Sequence, residues 1–197
     1  MQNGESKSYE ALYDAAKAIN SSLDVDDVLA AIVKAAATGV GAKACSLLLL
    51  SPDKEQLLHT AAYGLSDSYV KKGPVAVDAS MADALDGQTV EVYDIQDDPR
   101  VQYPEEARKE GIASILCMPV TLGDDVIGTI RIYTSDHRHF SASDVHFLEA
   151  VANLGAVALE KARLHQSVKK DYDELNQELL KWRASMGVWP LRLGGRR

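Results

Sequence analysis

Cysteine is scarce in this 197-residue chain. Cys45 and Cys117 are the only two, and each sits in an apolar, strand-like run rather than in a spaced cluster. That pattern suggests neither a disulfide framework nor a cysteine-based zinc site, and it fits a reducing cytoplasm. Aromatic residues are few, at 6%. No apolar stretch approaches the roughly 18 residues that span a bilayer. The segment Met1–Ser8 is polar and lacks the apolar centre of a signal peptide, so a soluble, unprocessed protein is expected. Basic charge is outweighed by acid: 21 Lys and Arg face 29 Asp and Glu, a formal charge of −8, which argues against a general nucleic-acid binder. The balance reverses at the C-terminus. After Glu178 come Lys181, Arg183, Arg192, Arg196 and Arg197 with no acid, so residues 187–197 are expected to form a disordered, solvated basic tail.

What is present is a regular order of elements. Tyr9, Leu12, Tyr13, Ala16, Ile19 and Leu23 recur at helical spacing and predict a helix over about residues 7–21. Asp24 caps a second, which carries Val25, Val28, Leu29, Ile32, Val33 and Ala36 on one face and stops at Gly39 or Gly41. Ala44–Leu50 and Leu57–Tyr63 read as a hairpin. The run Gly64–Asp78 has no clean period and reads as a loop with room for a short strand. Ser80 and Asp83 open a short helix ended by Gly87, and Thr89–Tyr93 alternates like a strand. Pro104, Glu105 and Glu106, with Arg108 and Lys109 before Gly111, mark another short helix matched to its dipole. Ser114–Leu122 and Val126–Thr134 form a second hairpin, and Ser141 with Asp144 starts a long helix. Antiparallel connections dominate, so the expected class is α+β, one sheet with its terminal helices together on one face.

The long helix carries two apolar stripes. Leu148, Ala152, Leu159 and Ala162 suit a helix laid on a sheet and fade near residue 165. The second stripe alternates steps of four and three: Phe147, Val151, Leu154, Ala158, Lys161, His165, Val168, Tyr172, Leu175, Leu179, Trp182 and Met186. That is a heptad seam, interrupted at Lys161 and His165. Its charged flanks beyond Val168 make a second copy the natural partner, so Phe147, Val151, Leu154, Ala158, Val168, Tyr172, Leu175, Leu179 and Trp182 are the expected dimer contacts. The alternative is one amphipathic helix folded back on its own domain. The organisation expected is a domain over 1–167, a coiled-coil-like extension over 168–186 and the tail.

The order and punctuation of these elements resemble a GAF domain, a small-molecule sensing fold related to PAS domains. The resemblance covers about residues 7–167. It is carried by Ala18–Asp24, by Ala62, Tyr63, Gly64 and Leu65, and by Gly87–Val92, Asp94–Arg100 and Gly111–Ser114. Met118–Val120, Val126–Thr129, and Arg138, Phe140, Ser141 and Asp144 complete it. It implies an antiparallel sheet of up to six strands, helices on one face, and a pocket on the other, roofed here by about Gly64–Gly111. It also implies dimerisation through the first and last helices and transmission of a signal to an output module. No kinase, cyclase or helix-turn-helix motif follows in this chain, so a separate signalling protein is the expected output partner.

Chemistry is sparsely signalled. GAF enzymes that reduce free methionine sulfoxide use cysteines in loops over the pocket, whereas Cys45 and Cys117 fall in predicted strands as buried, inert thiols. Bilin-binding relatives commonly follow the attachment cysteine with histidine; here Ser46 and Met118 follow, so no covalent bilin is expected. The Asn, Lys, Phe, Asp, Glu set of cyclic-nucleotide-binding relatives has no counterpart. His137 and His139 lack a third ligand, so no metal is expected either. The candidate ligand residues are Tyr63, Ser80, Tyr93, Arg100, Tyr103, Arg131 and Tyr133. In Gly128–Thr134 the isoleucines alternate with Thr129, Arg131 and Tyr133. If Ile130 and Ile132 meet the helices, Arg131 and Tyr133 face the pocket, where a cation suits an anionic ligand. Arg131 pairing with Asp94 or Asp97 is the competing arrangement. The expectation is a non-enzymatic, ligand-binding homodimeric sensor whose ligand is unknown. The alternatives are a scaffold with a vestigial pocket and, remotely, a thiol-based reductase.

Overall fold

A computed structural model describes residues 2–22, 24–77 and 82–185, without the side chains of 2–5, 166–168, 170–171, 179 and 183–185. Two helices come first, α1 (Gln2–Ser21) and α2 (Val25–Gly39). Asp24 caps α2 by accepting a hydrogen bond from Asp26 N at 2.9 Å, with Asp26 and Asp27 in the first turn, where carboxylates offset the helix dipole. The strands β1 (Ala44–Leu50) and β2 (Gln56–Tyr63) follow, then α3 (Asp67–Val70), β3 (Val75–Ala76), a 3-10 turn at Ala82–Ala84 and β4 (Val90–Val92). Helix α4 (Pro104–Lys109), strands β5 (Ser114–Leu122) and β6 (Asp125–Thr134), and helix α5 (Ala142–Ser185) complete the order. At the start of α5, Ser141 and Asp144 cap each other: Asp144 N donates to Ser141 Oγ at 3.1 Å and Ser141 N to Asp144 Oδ2 at 3.0 Å.

The six strands make one curled antiparallel sheet in the order β3-β2-β1-β6-β5-β4. Its two central strands meet closely at Gly128. A Cβ there would collide with Leu48 O and lie 2.9 Å from Leu49 Cα, so only glycine fits. One face of the sheet holds the main core. Cys45, Leu47, Leu116, Met118, Val120, Ile130 and Ile132 pack there with Ile32, Val33 and Ala36 of α2 and Leu148, Val151 and Ala152 of α5. Each such Leu, Ile or Val contributes roughly 1.5–3 kcal/mol on burial. The opposite face is covered by the short elements between β2 and β5, through Tyr69, Ala84, Val92, Ile95, Ala107 and Ile112.

The chain divides into two units, residues 1–160 and 161–197. Within the first, residues of both apolar stripes of α5 pack against their own unit. Val151 is fully buried and Ala158 nearly so. Leu154 packs with Ala11, Ala15 and Ala35, and the Phe147 ring lies where a side chain at Gly39 would stand. The physical reason is breadth: a helix seated between a sheet and two other helices buries a wide face, which reads as two stripes. Val151 and Ala158 are thus buried within their own chain, and Phe147 and Leu154 partly so. In the second unit Tyr172, Leu175 and Trp182 are solvent-exposed. The side chains of Val168 and Leu179, and all of Met186 and the tail, lie outside the described residues. No helix among the described residues is long and apolar enough to cross a membrane.

Candidate functional site

The floor of the site is built by strict alternation in β6. Ile130 and Ile132 enter the helix-side core, which turns Arg131 and Tyr133 to the opposite face. Arg131 is 6% exposed and pairs in register with Ser46 of β1 and Cys117 of β5, so a guanidinium occupies the middle of the sheet. Beside it the Tyr133 hydroxyl hydrogen-bonds Ser46 Oγ at 2.9 Å, and burial pushes that phenol up to about 12. Burial also raises both thiols, Cys45 in the helix-side core and Cys117 on the floor.

One wall comes from α3 and the residues that follow it, with His59 of β2 behind Lys72. Ser66 caps α3, accepting from Tyr69 N at 3.2 Å, and is gripped in turn by the Glu110 carboxylate at the end of α4. Burial acts to raise Glu110, but its hydrogen bonds from Ser66 and the nearby Lys43 outweigh this and hold it below the usual range. The clamp sets Tyr69 edge-on to Tyr133, ring centres 5.9 Å apart, and Lys72 above it, Nζ 3.8 Å from the Tyr69 ring centre. Lys72 Nζ also reaches Tyr69 O at 3.2 Å and His59 Nε2 at 3.3 Å. Burial is the main cause lowering His59 to about 4, helped by the positive charges of Lys72 and Arg131. Burial and Arg131 together lower Lys72 to about 8. The imidazole is therefore neutral at pH 7, with Nε2 accepting from Lys72, an arrangement that leaves the proton on Nδ1.

The roof is a short latch. Tyr103 OH donates to Pro74 O at 2.8 Å, and Ala76 N donates to Gln102 Oε1 at 3.0 Å. Gly73, at φ +138°, leaves room for that hydroxyl, since a Cβ there would lie 2.8 Å from it. Beneath it Tyr69, Lys72, Val75, Val101, Gln102, Tyr103, Ile115 and Arg131 enclose a cavity of about 20 Å³, room for about one water. A larger groove of about 400 Å³ at the other end of the sheet is open and lined by Lys54, Asp86, Asp124 and Asp125 among apolar residues.

Of the candidates read from sequence, Tyr103 and Arg131 line this cavity, and Tyr133 lies beside it against Tyr69. Tyr63 does neither. A bulge between Leu47 and Leu48 shifts the β1–β2 register so that Tyr63 pairs with Cys45, whose side chain lies in the helix-side core. Tyr93 is on the outer surface, 48% exposed, its ring stacked on His137 and His139 at 5.5 and 4.6 Å. Arg100 is held outside the cavity by the Asp98 carboxylate and by Glu91 O at 3.0 Å. Ser80 lies outside the described residues. Asp94, weighed as a partner of Arg131, meets His137 instead, at 3.4 Å. No group of three metal-ligating side chains occurs among the described residues. Of the residues that sequence reading missed, Tyr69 sits in a four-residue helix and Lys72 and Gln102 in irregular backbone, none of which shows a period, and His59 is the one on a longer strand.

A helix-backed six-stranded sheet with a cavity on its other face, roofed by the segment between β2 and β5, is matched by a family model described as a GAF domain over residues 22–160. The chain belongs to the GAF domain family. Among curated proteins, this GAF chain is 25% identical over 175 residues to the methyl sulfide methyltransferase-associated sensor of Methanosarcina acetivorans, covering 82% of this chain and 18% of that protein. The chain thus spans less than a fifth of that relative's length. Among solved structures it is similar to the GAF domain of a phosphoenolpyruvate-protein phosphotransferase from Coxiella burnetii, with TM-score 0.72, 17% identity, and coverage of 83% of this chain and 98% of that one. It is also similar to free methionine-R-sulfoxide reductase from Neisseria meningitidis in complex with its substrate, with TM-score 0.66, 16% identity, and coverage of 80% and 91%. At these identities the structural matches speak for the fold alone.

Proposed function

We propose that this GAF domain is a non-catalytic sensory module that binds a small anion between Arg131, Lys72 and His59, dimerises through the exposed part of α5, and passes pocket occupancy to a separate signalling protein in the cytoplasm. The observation that carries the reading is the convergence of two cationic side chains, Arg131 and Lys72, and two tyrosines, Tyr69 and Tyr103, on one cavity, with His59 against Lys72, in a chain whose formal charge is −8. Guanidinium and ammonium groups orient a carboxylate or phosphate, and the rings supply apolar area. The sensor from Methanosarcina, though distant, supports a signalling role. Burial of both thiols, with their pKa values raised, weighs against thiol-based reduction.

The closed roof gives the sensor two states. A ligand larger than one water must break the Tyr103–Pro74 bond, and only a ligand that prefers the open form shifts the balance. The same small cavity favours the second reading, a dimerisation scaffold with a vestigial pocket. Native mass spectrometry of gently purified protein separates them: a dimer carrying extra mass lost on denaturation supports the sensor, and a bare dimer that no small anion thermally stabilises supports the scaffold. Leu175→Asp with Leu179→Asp should give a folded monomer. A dimer that survives both changes rules out the extension as the interface.

A further inference from the structure

Lys72 combines properties that an anion-binding lysine does not need. Its amine is half-buried against the Tyr69 ring, and its nearest polar partners are a neutral imidazole at 3.3 Å and a carbonyl at 3.2 Å. No carboxylate ion-pairs with Lys72 among the described residues, whereas the neighbouring Lys71 does pair, with Asp67 at 3.2 Å. A buried amine beside another cation, with a base in reach, is the arrangement that makes a lysine nucleophilic.

Resting on the anion-pocket reading above, we infer that the cavity captures a small 2-oxo acid covalently and reversibly, as an imine on Lys72. The carboxylate pairs with the Arg131 guanidinium on the cavity wall, which leaves the adjacent carbonyl carbon facing Lys72 Nζ. The neutral amine adds to that carbon, forming the C–N bond, and His59 Nε2 takes one proton from nitrogen and delivers it to the carbonyl oxygen, giving a neutral carbinolamine. The second nitrogen proton then passes by the same route to the hydroxyl, which leaves as water as the C–O bond breaks and the C=N bond forms. One water is released, nothing is oxidised or reduced, and hydrolysis reverses the step. With Lys72 lowered to about 8, the neutral amine at pH 7.5 is on the order of a hundredfold more abundant than for an ordinary lysine. The small cavity selects the shortest members of the class, and Tyr103 must lift from Pro74 to admit them.

The test is reductive trapping: full-length protein with glyoxylate and cyanoborohydride at pH 7.5, read by intact mass and peptide mapping. One adduct is expected on Lys72, forming at least tenfold faster than on exposed Lys71, slowed by oxalate, which has no reactive carbonyl, and lost in Lys72→Arg. Labelling of Lys72 no faster than Lys71 overturns the imine, a comparison made within the wild-type protein and independent of how the variant folds. If oxalate still raises the melting temperature when glyoxylate fails to label, the covalent step falls and the anion pocket stands. If neither occurs, both fall.

Discussion

His59 should make the protein acid-sensitive in a way that a single substitution removes. Its imidazole is lowered from the ordinary value near 6.5 to about 4 by burial and by Lys72 and Arg131. A group whose folded pKa lies below its unfolded one binds fewer protons when folded, so stability is intact above pH 6.5 and declines as pH falls toward 4. Full conversion of the shift at about 1.36 kcal/mol per pH unit gives a ceiling of about 3.4 kcal/mol. The ring is partly exposed, so screening reduces this to about 2 kcal/mol. Gln at position 59 keeps an acceptor for Lys72 and cannot titrate. Urea unfolding of wild type and His59→Gln from pH 7.5 to 4 should therefore show curves within about 1 kcal/mol at neutrality that separate by about 2 kcal/mol at pH 4, the variant then being the more stable. The carboxylates held low, Asp98 and Glu110, destabilise both proteins alike on acidification and cancel in the difference. Curves that stay parallel to within about 0.5 kcal/mol would refute a neutral His59 set among cations.

Two further outcomes follow from packing. Gly128→Ala should cost about 3 kcal/mol or prevent folding, because the new methyl meets the β1 backbone rather than a movable side chain; a melting temperature within about 2 °C of wild type would contradict the close approach of β1 and β6. Tyr103→Phe should lose about 1 kcal/mol with the bond to Pro74 O and speed hydrogen exchange at Val75 and Ala76. Unchanged exchange there would mean that the latch does not hold the roof.

Reading the chain by period worked where elements are long and regular. In β6 the alternation of Ile130 and Ile132 with Arg131 and Tyr133 assigned the faces correctly, and the order of elements gave the family. It failed where one residue changes the count: alternation from Leu57 puts Tyr63 with His59, but the bulge carries Tyr63 to the other face. It failed again in α3, whose four residues cannot display a helical repeat, so Tyr69 and the following Lys72 went unseen. The seam on α5 shows a third limit. A four-three spacing says that a face is buried, but not whether a second chain or α1 and α2 bury it.

Arg100 and Gln102, neither of them on the sheet, touch its two margins. Arg100 takes the carbonyl of Glu91 on β4, and Gln102 takes the amide of Ala76 on β3. Those outermost strands are only three and two residues long. An unpaired ladder of amides and carbonyls is what lets sheets of separate molecules zip together and aggregate. Here the ladder is short and partly plugged from within, so copies of this protein have little to gain by joining sheet to sheet. Loss of either plug would reopen that route, which gives Arg100→Ala and Gln102→Ala a cost in solubility even where folding is unharmed.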